Sequence, residues 1–151
     1  MTSEVTIEVD ATGPAPSAEF RERITKAVAD VVAERLRQEA KWGEQNHPMV
    51  PADVRVEAQA HGASPEFFAC HVLGVDDAKA ARDECNREHR AGRGTYTHIL
   101  VEEVAEFVEA CVLHGEASDE ARNEMVQVAA VALAMIEAID RKRAKASEVA
   151  K

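Results

Sequence analysis

Nine consecutive apolar residues, Val128 to Ile136, sit inside a stretch that otherwise reads as one long helix. In a helix such a run is apolar on every face, so it has to be covered on every side. It is far shorter than the roughly 20 residues of a membrane span, so the cover must be other helices. The segment opens at Ser118 as N-cap and continues to about Lys145. Its basic end, Arg141-Lys-Arg143, suits the negative end of the helix dipole.

Upstream, Ser17 is an N-cap with Glu19 in the first turn. Phe20, Ile24, Ala27, Val28, Val31, Val32 and Leu36 follow at helical spacing, and Gly43 and Pro48 end the pattern near Trp42. A third long helix runs from Tyr96 to Leu113 and closes at Gly115. The remainder is less regular. Val5, Ile7 and Val9 alternate with polar residues as in a strand, and Gly13-Pro-Ala-Pro-Ser17 reads as a linker. Residues 1–16 are therefore expected to be a loosely held segment, 17–145 a helical domain and 146–151 a tail. Residues 44–95 are expected to be an irregular insert with one short helix, from Asp76 to about Arg90. Val54, Val56 and Ala58 give a weak strand-like alternation within it. The predicted class is all-α, a helical bundle. Helices apolar on so many faces need more cover than about four helices of one small chain supply, so an oligomer is expected.

Composition excludes several functions. Against 18 Lys and Arg stand 28 Asp and Glu, a formal net charge of −10, which repels duplex nucleic acid. The start of the chain, with Glu4, lacks signal-peptide character, and no run is long enough for a membrane. Three cysteines, Cys70, Cys85 and Cys111, do not make a disulfide framework, so a reducing, cytoplasmic setting is expected. Cys111 and His114, with Cys85 and His89, lack the paired spacing of a zinc module. A P-loop, a G-x-G-x-x-G and an H-E-x-x-H are all missing.

The informative residues are acidic. At about 100° per residue, Leu100, Val104, Phe107, Val108 and Cys111 form one core stripe. Glu103 and Glu106 lie off it, on a row shared with Ile99, Ala110 and Leu113. On the last helix Glu124 and Gln127 share a row with Val131 and Ala138. Two neighbouring helices thus each offer oxygen ligands at i, i+3. Facing carboxylates must be protonated, paired or metal-bound. Residues 99–113 contain no Lys or Arg to pair with them. Hard oxygen donors favour Mg²⁺ or Mn²⁺, and Mg²⁺ takes phosphate oxygens readily, which points to a nucleotide. The alternative is that Glu102, Glu103 and Glu106 form an ordinary solvated helix edge.

Val101-Glu-Glu-Val-Ala-Glu106, a short loop, Glu124-Met-Val-Gln127 and a long apolar helix resemble the MazG-like all-α nucleoside triphosphate pyrophosphohydrolases. Their signature is E-E-x-x-E, a spacer, then E-x-x-D. The resemblance covers residues 96–140 well and 18–43 loosely. It implies a helical homodimer or homotetramer that uses Mg²⁺ or Mn²⁺ to convert a (d)NTP to (d)NMP and pyrophosphate. It further implies that Glu103, Glu106 and Glu124 are metal ligands, while Glu102 matches the first Glu of the signature. Gln127 stands where the family usually has Asp, and it still offers a carbonyl oxygen, or an amide N–H to orient a carboxylate. The second reading is a non-catalytic helical oligomer that binds nucleotide or a protein after losing one ligand.

In the resembled family the end of the first long helix helps form the nucleotide pocket. Arg37, Lys41, Trp42, Gln45, Asn46 and His47 stand there, with Trp42 placed to stack on a base and Gln45 or Asn46 to read its edge. Equally, Trp42 could cap the core. Arg93, His98 and Arg122 lie near helix starts and are phosphate-contact candidates.

Overall fold

A computed structural model describes residues 15–44, 49 and 53–149. Among them the chain is all-α: α1 (Ala18–Trp42), α2 (Val54–Ala60), α3 (Pro65–Leu73), α4 (Ala78–Arg90), α5 (Tyr96–His114) and α6 (Asp119–Val149). The alternating Val5, Ile7 and Val9, and the candidates Gln45, Asn46 and His47, lie outside the described residues.

The helix ends follow local chemistry. The hydroxyl of Ser17 accepts from the backbone N–H of Phe20 at 3.1 Å, and that of Ser118 from Ala121 at 3.1 Å. Gly43 and Gly115 close α1 and α5 at positive φ. Among the described residues of 44–95, the short helix expected from Asp76 to about Arg90 is α4, and two further helices, α2 and α3, stand where irregular chain was expected. Pro65, a breaker when read alone, stands in the first turn of α3 behind the N-cap Ser64, where its missing N–H costs nothing. Val54 and Ala58, one face of the supposed alternation, are buried one turn apart on α2. The last helix outruns its expected end at Lys145 by about a turn.

α5 is the hub, packing against α3, α4 and α6, with α2 on α3 and α1 on α6. One core cluster joins Val54, Ala69, Cys70, Val108, Cys111 and Ala121, with Phe68 and Phe107 against it. A second is a seam of small residues, Ala78, Ala81 and Ala105, that lets α4 lie close on α5. Every buried apolar side chain among the described residues is Ala, Val or Cys. The larger ones stay half covered or exposed, so the core of one chain is thin. None of Val128 to Ile136 is buried, contrary to the expectation of a fully covered run. On α1 only Ala27 is buried, while Val32 is 51% and Leu36 66% exposed. No helix among the described residues is long and apolar enough to cross a membrane.

Candidate metal centre

Thr95 begins the helix that carries two of the three acidic candidates. Its hydroxyl accepts from the His98 backbone N–H at 3.3 Å, and His98 Nδ1 accepts from the Thr95 N–H at 3.2 Å, a reciprocal capping box. The turn before it needs Gly94, because a Cβ there would sit 2.3 Å from the His89 ring. With the start of α5 fixed in this way, Glu103 and Glu106 face α6 one turn apart and meet Glu124 from the other side. Each of the three offers an oxygen, and these oxygens lie within 4.8 Å of one another.

The surroundings of this trio are uneven. Glu103 Oε2 is buried and accepts no hydrogen bond. Burial, then the charges of Glu106, Glu124 and Glu102, push the Glu103 carboxyl above the usual carboxylate range, and Arg82 opposes this. Glu106 is paired: Arg82, reaching across from α4, donates from Nε to Glu106 Oε1 at 2.9 Å and from Nη2 to the same oxygen. The same Nε lies 3.6 Å from Glu102. This guanidinium stands 24 residues upstream of Glu106, outside the stretch 99–113 that holds no Lys or Arg of its own. Gln127 donates its amide N–H to Glu124 Oε2 at 2.6 Å, and so orients that carboxylate.

These residues suit a hard divalent ion. Mg²⁺ holds its oxygens at about 2.1 Å, so ligand oxygens end roughly 3–4 Å apart, within reach of small side-chain rotations here. The donors are all oxygens, without the Cys or His that zinc favours. Among the described residues no group of His, Cys, Asp and Glu other than these three glutamates has metal-ligand spacing, so the Cys/His zinc pattern does not assemble. Burial pushes the thiols of Cys70 and Cys85 up to about 11 and that of Cys111 above its usual value, which disfavours the thiolate form.

Beside the trio opens a cleft of about 170 Å³ lined by Arg82, Glu106, Glu109, His114, Glu120 and Glu124, with Ala110 and Leu113. Of these, Arg82, Glu109, His114 and Glu120 were not legible as site residues from sequence. The described substrate candidates do not line it. Arg122 is two residues, about 200°, from Glu124, and borders a separate apolar cavity of about 470 Å³ with Phe107 and Met125. His98 is engaged in its cap, and Arg93 in an ion pair with Glu88 at 2.8 Å. Arg37 pairs with Glu34 at 2.7 Å, and the Lys41 ammonium sits 4.8 Å from the centre of the half-exposed Trp42 ring. The helix carrying them, α1, packs only on α6, tied by Arg23–Glu137 and Lys26–Asp140. Those ties lie roughly 20 Å along α6 from Glu124 at 1.5 Å per residue. One chain therefore does not bring Arg37, Lys41 or Trp42 to the carboxylates.

The raised Glu103 value has a stability consequence in the metal-free protein. Between that value and the ordinary one of 4.5, the native state holds a proton that the unfolded state has released. Stability from this group therefore rises as pH falls through the raised value and levels off near the ordinary one. Glu34, Asp83 and Glu88 have lowered values and act the other way, but only below the usual carboxylate range. Thermal melts from neutral to mildly acidic pH should show the wild type gaining stability. Glu103→Gln should melt higher than wild type at neutral pH and lack that gain.

No family model matches this chain, and no curated protein or solved structure matches it either.

Proposed function

We propose that this chain is a MazG-like nucleoside triphosphate pyrophosphohydrolase, cytoplasmic, that hydrolyses a (d)NTP to (d)NMP and pyrophosphate in control of the nucleotide pool. The observation that carries the reading is the convergence of Glu103, Glu106 and Glu124 from two helices, with one buried oxygen lacking any partner. These are also the positions at which the sequence matches the acidic signature.

Glu103, Glu106 and Glu124 would hold Mg²⁺ or Mn²⁺. When bound, such an ion neutralises phosphate charge and lowers the pKa of water toward neutrality. The chain's own contribution is placement. α5 and α6 fix the three carboxylates, one oxygen of Glu103 is shielded from solvent, and Gln127 holds Glu124 in orientation through its amide N–H. Water attacks the α-phosphorus, the bond to the bridging oxygen breaks, and pyrophosphate leaves.

The active species is an oligomer, a homodimer or homotetramer, supported by the thin core and the uncovered apolar residues of α1. The nucleotide pocket formed by Arg37, Lys41 and Trp42, with His98 and Arg122, belongs to that assembly. The presence of Gln127 instead of an acid favours one second reading, a non-catalytic helical oligomer that binds nucleotide or a protein. Incubation with each (d)NTP and Mg²⁺ or Mn²⁺, with and without chelator, decides between them. The expected products are (d)NMP and pyrophosphate, only with metal. Release of orthophosphate would sink the assigned chemistry, and metal-dependent nucleotide binding without turnover would favour the second reading.

A further inference from the structure

We propose that Arg82 is a tethered counter-cation of the acidic cleft, competing with a divalent ion for Glu106 and so holding resting metal affinity down. The proposal rests on reading Glu103, Glu106 and Glu124 as metal ligands, and it concerns how their charge is managed when no ion is bound.

The geometry separates a mobile partner from fixed ones. The side chains of Glu102 and Glu106 are only 19% and 18% exposed, so the carboxylates have little room to leave. Arg82 is 52% exposed, and its long side chain can swing into solvent at little cost in packing. Both of its engaged nitrogens reach a single oxygen of Glu106. It is also the one Arg or Lys among the residues lining a cleft that includes Glu106, Glu109, Glu120 and Glu124. An arginine does not deprotonate, so raising the pH will not release it; another cation on the same carboxylate will.

The placement depends on the seam between α4 and α5. Ala78, Ala81 and Ala105 are buried against one another, and Arg82 follows Ala81 at the edge of that contact, level with Glu102 and Glu106. The seam therefore delivers a permanent but mobile positive charge to the cluster without filling the space between α5 and α6 where the three oxygens converge.

Mn²⁺ titration by calorimetry, without nucleotide, tests this on wild type, Arg82→Gln, Arg82→Lys and Glu106→Gln. Arg82→Gln should bind Mn²⁺ about three- to tenfold more tightly than wild type, because a competing charge is gone. Arg82→Lys should stay near wild type, and Glu106→Gln should lose binding. Equal or weaker binding by Arg82→Gln, with Glu106→Gln still defective, would reduce Arg82 to a tie between α4 and α5 and leave the metal site standing. Equally weak binding by all four proteins would remove the metal site, and this proposal with it. A second measurement does not need Arg82→Gln to fold. The Arg82 Nε–H resonance of the wild type, assigned by its loss in Arg82→Lys, should shift on saturation with Mg²⁺, and an unmoved resonance would overturn the idea.

Discussion

Glu106→Gln and Glu103→Gln are each expected to lower kcat/KM for pyrophosphate release by about 100-fold or more, while Gln127→Ala costs less than about tenfold. Each glutamine variant keeps the size of the side chain and removes one of the negative charges that converge between α5 and α6. Gln127 acts one step away, by donating to Glu124 Oε2, and losing an orienting partner has the smaller effect. Loss of fold should not explain the result for Glu103→Gln, because neutralising its raised carboxyl, one oxygen of which is buried without a partner, is expected to stabilise the metal-free protein. Gln127→Asp is the informative reverse change. It replaces an N–H donor 2.6 Å from Glu124 with another carboxylate, so it should tighten Mn²⁺ binding without nucleotide. Steady-state turnover together with Mn²⁺ titration of wild type, Glu106→Gln and Gln127→Asp checks both. If all three proteins bind Mn²⁺ equally weakly, the acidic row is only a helix edge and the enzyme assignment fails.

The second large effect concerns assembly. Val32 is 51% exposed and Leu36 66% exposed on α1, so a charge at either site disturbs little within one chain. In an assembly that buries this face the same charge would be desolvated, and a symmetric contact repeats the change on the partner. Val32→Asp and Leu36→Asp should each weaken self-association by more than about 100-fold while leaving most of the helical circular dichroism intact. Sedimentation at micromolar concentration should show wild type as a dimer or tetramer and both variants as monomers. A well-folded monomeric wild type would overturn the oligomer, and with it the placement of the Arg37, Lys41 and Trp42 pocket.

How far each feature was legible in the sequence follows the range of the forces that set it. The three long helices were legible because their signals act within about four residues. Ser17 and Ser118 satisfy N–H groups three positions on, and Gly43 and Gly115 turn the chain at positive φ. The i, i+3 row of Glu103 and Glu106 was legible for the same reason, since a row on a helix is fixed by 3.6 residues per turn, whereas Glu124, on another helix, was joined to them by the resembled signature. α4 was legible too, but α2 and α3 were not. Helices of 7 and 9 residues hold too few turns to display a period, and Pro65 signals a break or a start depending on what precedes it.

Only the tertiary structure decided which side chains share the acidic cleft. Arg82 reaches Glu106 because three alanines let α4 approach α5, a contact between residues 24 apart that no local pattern encodes. Tertiary packing also left Val128 to Ile136 half covered and α1 tied to the rest through α6 alone, though the periodicity of both segments asks for burial. Periodicity specifies which face of a helix avoids water, but what covers that face depends on partners that the helix itself does not contain.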